Sequence, residues 1–174
     1  MSFIGDVNKG TIYAPGYFLA YDDENVTRET REFAQDSALV VTSENGTKHV
    51  PMGTAYPTND ANAIGIAYED VDVTVGNMPG SVVTAGATVF EDRLAITDVS
   101  YDAVTPAGTE NPSEEGWYEK DASNNYVLST DTTVDDTKTY YEKTVTRLAS
   151  AAKSALAALG FKFIATEPAV TRPY

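Results

Sequence analysis

The chain has 174 residues, of which 42% are hydrophobic and 22% charged, a composition typical of a folded globular protein rather than a disordered one. Its formal net charge of −14 argues against nucleic acid and membranes as partners, because surplus carboxylates repel phosphate groups and anionic lipids. The lack of Cys in the sequence excludes disulfides, thiolate metal sites and Cys nucleophiles.

Residues 1–37 are predicted to form an extended N-terminal arm, in which Gly and Pro separate short aromatic pieces. We expect a short strand at 17–21 and one helical turn at 28–34. The first twenty residues lack the basic start and apolar run of a signal peptide, so synthesis in the cytoplasm is expected. An extended segment with aromatic side chains is suited to lie along a partner, and the candidate contacts are Ile12, Tyr13, Tyr17, Phe18 and Leu19.

The clearest β pattern begins at residue 38. Residues 38–50 predict a hairpin, because a β-branched run is followed by Asn45-Gly46, a pair that tolerates positive φ, and then by a second short strand. A further strand is expected at 63–68. These features predict a β-rich body that starts after the arm.

The pattern continues with an alternating segment at 71–75, where Val71, Val73 and Val75 are predicted to share one face of a strand. Residues 77–80 predict a turn. A strand is expected at 81–90, in which Gly86 indicates a bulge or a close backbone approach. The stretch 38–103 is therefore interpreted as one continuous β-rich region.

Residues 104–143 differ in composition and are predicted to be a small inserted β module. They hold the only Trp, and two aromatic strand candidates flank the segment 126–134. An adhesion surface is one interpretation, because aromatic rings can stack on a sugar or an exposed peptide; the alternative is that the rings pack a module too small for another core. The candidate residues for adhesion are Trp117, Tyr118, Tyr140 and Tyr141.

Residues 144–174 are predicted to belong to the same body as residues 38–103. The run 147–159 is the strongest helix pattern in the chain, with apolar residues at helical spacing and Gly160 placed to end the helix in a left-handed conformation. A short strand is predicted at 161–165. Together, 38–103 and 144–174 predict an α+β fold that is predominantly β, with one C-terminal helix.

The sequence contains few residues that suggest a catalytic, phosphate-binding or metal-binding site. His49 has no neighbouring Ser, Cys or Asp pattern that would build a triad, and no glycine-rich phosphate loop occurs. Glu69, Asp70 and Asp72 could hold a hard cation, but the spacing of a calcium loop is absent, so a solvated strand face is the preferred interpretation. We predict no catalytic, cofactor-binding or metal-binding residue, and therefore a structural or binding protein rather than an enzyme.

Residues 63–94 contain four elements in succession: an Ala-x-Gly-Ile strand, an acidic Val/Thr-rich strand, a turn, and a strand with Gly86 that ends in an acidic-plus-Leu step. In this order they resemble the head decoration protein family of lambda-type bacteriophages; the matching residues include Ala63, Gly65, Ile66, Glu91, Asp92 and Leu94. The hairpin at 38–50 and the terminal helix and strand extend the resemblance. It covers 38–100 and 147–165, a little under half of the chain.

The resemblance implies a non-catalytic virion protein on the outer capsid surface, made in the host cytoplasm, that stabilises the phage head. It also implies a homotrimer whose N-terminal arm contacts the major capsid protein. The longer N-terminal stretch and the insertion at 104–143 depart from the family, and the insertion resembles a Trp/Tyr-rich module of several phage structural proteins. There are two rival hypotheses. One is a host-surface or carbohydrate-binding adhesion module, and the other is a hydrolase with an acidic site.

Overall fold

The structure is a computed structural model that describes residues 14–20 and 26–165. Contacts between Cα atoms divide the chain into a body unit, Met1–Thr97 with Arg147–Tyr174, and an insert unit, Asp98–Thr146. The module predicted at 104–143 lies within the insert unit. The unit extends further at both ends because its first and last strands pair along their whole length.

The described residues form thirteen strands and two helices, and the α+β, predominantly β prediction is confirmed. A single 3₁₀ turn lies at Glu91–Arg93. In chain order the elements are β1 (Thr27–Phe33), β2 (Val41–Thr42), β3 (Lys48–Val50), β4 (Ala55–Tyr56), β5 (Gly65–Ala67), β6 (Val71–Asp72), β7 (Met78–Ala85), β8 (Thr88–Phe90), β9 (Asp98–Val104), α1 (Pro112–Glu115), β10 (Tyr118–Lys120), β11 (Tyr126–Leu128), β12 (Tyr140–Thr146), α2 (Ser150–Ala158) and β13 (Lys162–Ile164).

The largest sheet of the body unit has the strand order β1-β7-β5-β4, with antiparallel neighbours throughout. The helical turn predicted at 28–34 is wrong, because this segment is β1 and pairs with β7 from Thr27 to Phe33. Its Arg and Glu residues have good helix propensity, but pairing with a long neighbouring strand satisfies the same backbone groups and overrides that preference.

The predicted hairpin at 38–50 is confirmed. Strands β2 and β3 are antiparallel, with Val41 opposite His49, and β6 completes a sheet of order β2-β3-β6. Gly46 has a φ of 85°, and the Asn45 side chain accepts a hydrogen bond from the Thr47 N–H. The turn therefore uses the positive φ and the side-chain cap that these two residue types supply.

The strand predicted at 71–75 is shorter than expected. Val71 and Val73 are buried, but Val75 is 86% exposed, so the prediction that all three share one face of a strand is wrong for Val75. The Asp72 carboxylate accepts a hydrogen bond from the Thr74 N–H and the chain turns there. The turn thus comes before 77–80, and Met78 already begins β7.

The strand predicted at 81–90 is divided at Gly86, whose φ is 72°. After this break β8 leaves the main sheet and pairs in parallel with β13. Helix α2 precedes β13, and Gly160 has the left-handed φ, 87°, that was predicted for the end of this helix. The long connection between β8 and β13 is what a parallel pair requires.

The main core of the body unit joins residues that are far apart in sequence. It contains side chains from both stretches that carry the family resemblance and from the N-terminal segment, and its buried members are Phe18, Ala55, Ala63, Ile66, Val83, Ala87, Val89, Leu94, Ala152, Leu156 and Phe161. A second cluster lies around Phe33, Val50, Ala67, Val71, Val73 and Val82. The apolar face of α2 therefore stabilises the body unit.

The N-terminal segment is anchored to this core. Phe18 is fully buried, its carbonyl accepts a hydrogen bond from the Phe90 N–H, and Leu19 forms a β-bridge with Val89. Phe18 and Leu19 are thus part of the body rather than of a free arm, which corrects the prediction for both. Tyr17 is 37% exposed and lies under the Arg93 guanidinium, while Ile12 and Tyr13 lie outside the described residues.

Candidate binding surface of the insert unit

The insert unit is a single antiparallel sheet of order β11-β10-β12-β9. Its register places Tyr118 opposite Tyr141, Lys143 opposite Tyr101 and Lys120 opposite Tyr126. Side chains alternate between the two faces of a strand, so this register divides the unit into two chemically different faces. One, called here the tyrosine face, consists of Val99, Tyr101, Ala103, Tyr118, Lys120, Tyr126, Leu128, Tyr141, Lys143 and Val145.

The four rings of the tyrosine face contact one another across the sheet. Tyr101 on β9 and Tyr126 on β11, the two edge strands, stack with ring centroids 4.0 Å apart and an interplanar angle of 3°. Tyr118 meets Tyr101 edge-on at 5.2 Å, and Tyr141 meets Tyr126 edge-on at 5.0 Å. Offset and edge-to-face contacts of this kind stabilise the cluster beyond the area that it buries.

Two exposed lysines lie over these rings. The Lys120 ammonium is 5.1 Å from the centre of the Tyr126 ring and 5.6 Å from that of Tyr141, and the Lys143 ammonium is 5.7 Å from that of Tyr118. Neither lysine forms an ion pair with a carboxylate among the described residues. Their positive charge is therefore left to the aromatic faces and to solvent.

The opposite face, called here the acidic face, consists of Asp98, Ser100, Asp102, Val104, Glu119, Val127, Tyr140, Glu142, Thr144 and Thr146. Tyr140 is buried on it, 6.1 Å from the Trp117 ring, and its hydroxyl donates a 2.7 Å hydrogen bond to Asp131. The same hydroxyl accepts one from the Asp135 N–H at 3.1 Å. The loop after β11 is thereby fastened to the sheet.

Lys138 completes this network. Its ammonium contacts the Asp131 carboxylate at 2.8 Å and the Glu119 carboxylate at 2.9 Å, which raises the pKa of Lys138. The hydrogen bond from Lys138, followed by that from Tyr140, lowers the pKa of Asp131. Burial and then the bond to Asp131 raise the pKa of Tyr140. These groups stabilise the loop, and they leave Tyr140 inaccessible to a ligand.

The predicted adhesion residues therefore do not form one surface. Tyr118 and Tyr141 are on the tyrosine face, whereas Trp117 and Tyr140 pack on the acidic face. Tyr101 and Tyr126 join the tyrosine face although neither was predicted as an adhesion residue. Tyr126 could have been found from its alternation with Leu128, but Tyr101 lies on a strand that the sequence pattern had assigned to the body.

Asp131→Asn is expected to weaken the insert unit at neutral pH and to make its unfolding less sensitive to acid. A carboxyl whose pKa is lowered in the folded state stabilises it fully above the unfolded pKa, 3.8, and loses that contribution as the pH falls through the lower, folded value. The amide of Asn does not titrate, so part of the acid dependence should disappear. Fluorescence of Trp117, the only Trp, measured against pH reports on this unit.

Asp136→Asn is the matched control, because Asp136 is an exposed carboxylate of the same loop. It should leave the Trp117 transition close to that of the unmodified chain. Equal acid transitions for Asp131→Asn and the unmodified chain would show that ionisation of Asp131 contributes nothing to the stability of the insert unit.

The acidic cluster considered as a cation site has other roles in the structure. Asp70 accepts a hydrogen bond from the Met52 N–H at 2.7 Å, Asp72 accepts one from Thr74 at 2.9 Å, and Glu69 accepts one from the Ser81 N–H at 3.4 Å. Each carboxylate thus serves a different backbone segment. Within 14–20 and 26–165, no group of three or more potential ligands is arranged to hold a metal ion.

A second surface feature lies in the body unit, where an apolar cavity of about 210 Å³ opens beside β2. Val41 and Ile96 on its wall are 47% and 53% exposed. The other lining residues are Ala38, Leu39, Pro51, Thr54, Thr58, Asn59 and Thr97. Its apolar wall is of the kind that protein contacts bury.

No helix in the described part of the chain is long and apolar enough to cross a membrane. Comparison of the chain with protein-family models, with curated proteins and with solved structures gives no match.

Proposed function

We propose that this chain is a non-enzymatic structural protein of a bacteriophage virion, a decoration subunit that binds the outer capsid surface and stabilises the head. The observation that carries the proposal is the shared core of the body unit. The resemblance to head decoration proteins is split in the sequence by the insertion, yet Ile66, Val89 and Leu94 from its first part pack with Leu156 and Phe161 from its second. This is the arrangement expected of one decoration-protein body with a module inserted into it.

The capsid contact is proposed to come from the residues that precede the anchored segment. Gly16 donates a hydrogen bond to the Tyr68 carbonyl and Phe18 is buried, so the chain is attached to the body from this point. Residues 1–13, which include the candidates Ile12 and Tyr13, would then bind the major capsid protein, with Tyr17 at the edge of the contact. In a homotrimer three such segments bind together far more strongly than one alone.

The apolar cavity beside β2 is the second part of the proposal. Val41 and Ile96 on the cavity wall are exposed, and contact with a neighbouring subunit would remove their apolar surface from water. We propose this cavity as the contact between copies in the trimer. Association with the capsid then adds area across neighbouring capsid subunits, which opposes the pressure of packaged DNA.

Deleting residues 1–13 is expected to abolish retention on undecorated phage heads, because it removes the proposed capsid contact and keeps Phe18 in the core. The measurement is co-sedimentation of purified protein with undecorated heads. Light scattering of the same variant should give the mass of the unmodified oligomer. Undiminished retention after this deletion would refute the arm mechanism.

Excision of the insert unit is the matched control, and the structure indicates how to make it. The Thr97 hydroxyl donates a hydrogen bond to the Arg147 carbonyl at 3.1 Å, and the Asn59 side chain bonds both residues at 3.2 Å. A short Gly-Ser linker can therefore replace Asp98–Thr146. The decoration proposal expects full capsid binding from this variant; the rival hypothesis, adhesion to a host surface or carbohydrate, expects its main activity to be lost.

A further inference from the structure

Charge in the insert unit is segregated by face. The unit has eleven Asp and Glu residues and three Lys. Every acidic residue on its strands lies on the acidic face, whereas the only charged residues of the tyrosine face are Lys120 and Lys143. In a chain of net charge −14, this face carries cations and no carboxylate on its strands, and such a local excess of positive charge favours contact with an anion.

The two faces also differ in what covers them. Tyr140 on the acidic face is buried beneath the loop that follows β11, which is held by the Asp131 and Lys138 contacts. The four tyrosines of the other face are only half-buried, although they pack against one another. None of these four rings is as fully buried as Tyr140.

The positions of Lys120 and Lys143 on the sheet limit the kind of ligand that this face can bind. Strands β10 and β12 are antiparallel with Tyr118 opposite Tyr141, so Lys120 and Lys143 lie on either side of this pair. Their Cα atoms are separated by four residue positions along the strands, roughly 13 Å. Each ammonium lies over a different ring of the Tyr118–Tyr141 pair, an arrangement that suits a ligand with more than one anionic group.

We propose that the tyrosine face binds an anionic polysaccharide of a cell surface. Lys120 and Lys143 pair with carboxylate or phosphate groups along the sugar chain, and the half-exposed rings of Tyr118 and Tyr141 between them contact the apolar C–H faces of the sugars. The inference goes beyond the capsid-binding function and does not depend on it, because it uses no residue of the body unit.

A sugar chain fits this surface better than an acidic peptide. Peptides that bind sheets usually pair with the backbone of an edge strand, but the cations and rings here project from the sheet face, and the central residues lie on the inner strands β10 and β12. Contacts on the face are made by side chains alone. Aromatic rings stack on sugars with little loss of conformational freedom, since Tyr has two side-chain torsions.

The test is titration of the full-length protein with three hexasaccharides: hexagalacturonate, phosphorylated maltohexaose and unmodified maltohexaose. At least one anionic chain should bind and should shift the NMR ring signals of Tyr118 and Tyr141, while the neutral chain should not. Binding should weaken with added salt. Replacing both Lys120→Gln and Lys143→Gln should reduce affinity roughly tenfold, because two exposed charge pairs with the ligand are lost.

The matched control replaces Lys48→Gln and Lys162→Gln in the body unit, which removes the same net charge elsewhere and should leave affinity unchanged. An equal loss in both double variants would reduce the effect to overall charge and overturn the proposal. Failure of both anionic chains to bind would do the same. Hexaglutamate is the last ligand to be titrated. If it binds as tightly as the anionic sugars, the tyrosine face is assigned to acidic peptides instead.

Discussion

Phe18→Ala is expected to lower the free energy of unfolding of the body unit by roughly 3–5 kcal/mol, the usual cost of emptying a fully buried Phe site. Phe18 is completely buried and packs in the main core with Val89, Leu156 and Phe161. Its carbonyl also holds the Phe90 N–H at 2.8 Å, and Ala20 donates to the Thr88 carbonyl at 2.8 Å. The substitution should therefore loosen β8 as well as create a cavity.

Hydrogen exchange is the appropriate measurement, because it resolves the amides of β8 from those of the insert unit. The Phe90 amide should lose more protection in Phe18→Ala than the Val127 amide does. Tyr17→Ala is the matched control: Tyr17 is exposed and contacts the Arg93 guanidinium, so its loss should cost about 1 kcal/mol or less. Equal effects of the two substitutions would mean that the segment is not anchored through Phe18.

Gly65→Ala is expected to destabilise the body unit by about 3 kcal/mol or more, at the upper end of overpacking effects. A Cβ at Gly65 would lie 2.4 Å from the Val83 carbonyl oxygen and 2.5 Å from the Val82 Cγ1. The first of these atoms belongs to the backbone of β7. Because β7 pairs with β5 on one side and with β1 on the other, it cannot move away from the added methyl group. Thermal unfolding by calorimetry measures the loss.

Two other glycines separate steric overlap from the general effect of adding a methyl group. At Gly80 the new Cβ would meet the buried side chains of Val71 and Phe33 rather than a backbone atom, so a smaller cost is expected. At Gly108 it would meet no atom within 4 Å, and Gly108→Ala should be close to neutral. A Gly65→Ala variant as stable as Gly108→Ala would contradict the tight approach of β5 to β7.

The Ala-x-Gly-Ile part of the family resemblance thus has a physical explanation in this chain. Gly65 lets two backbones approach, Ala63 and Ile66 are buried in the core, and each position accepts a narrow range of side chains. A structural requirement for these residues supports the proposed decoration-protein body.

Several elements followed from the sequence because their causes are local. The Asn45-Gly46 turn, the helix that ends at Gly160 and the break at Gly86 depend on backbone conformations that a few neighbouring residues specify. Hydrophobic periodicity acts over the same short range. Such features can be read without knowing what the segment packs against.

The other elements depend on contacts between residues that are far apart in the sequence. Residues 27–33 form a strand because β7 is available beside them, and Phe18 is a core residue because the body leaves a site for it, neither of which local sequence reveals. The tyrosine face likewise depends on strand pairing that the local sequence does not reveal. The residue types for aromatic contacts were visible in the sequence, but which rings share a face with Lys120 and Lys143 depends on the register of four strands, and a shift of one residue would exchange the two faces.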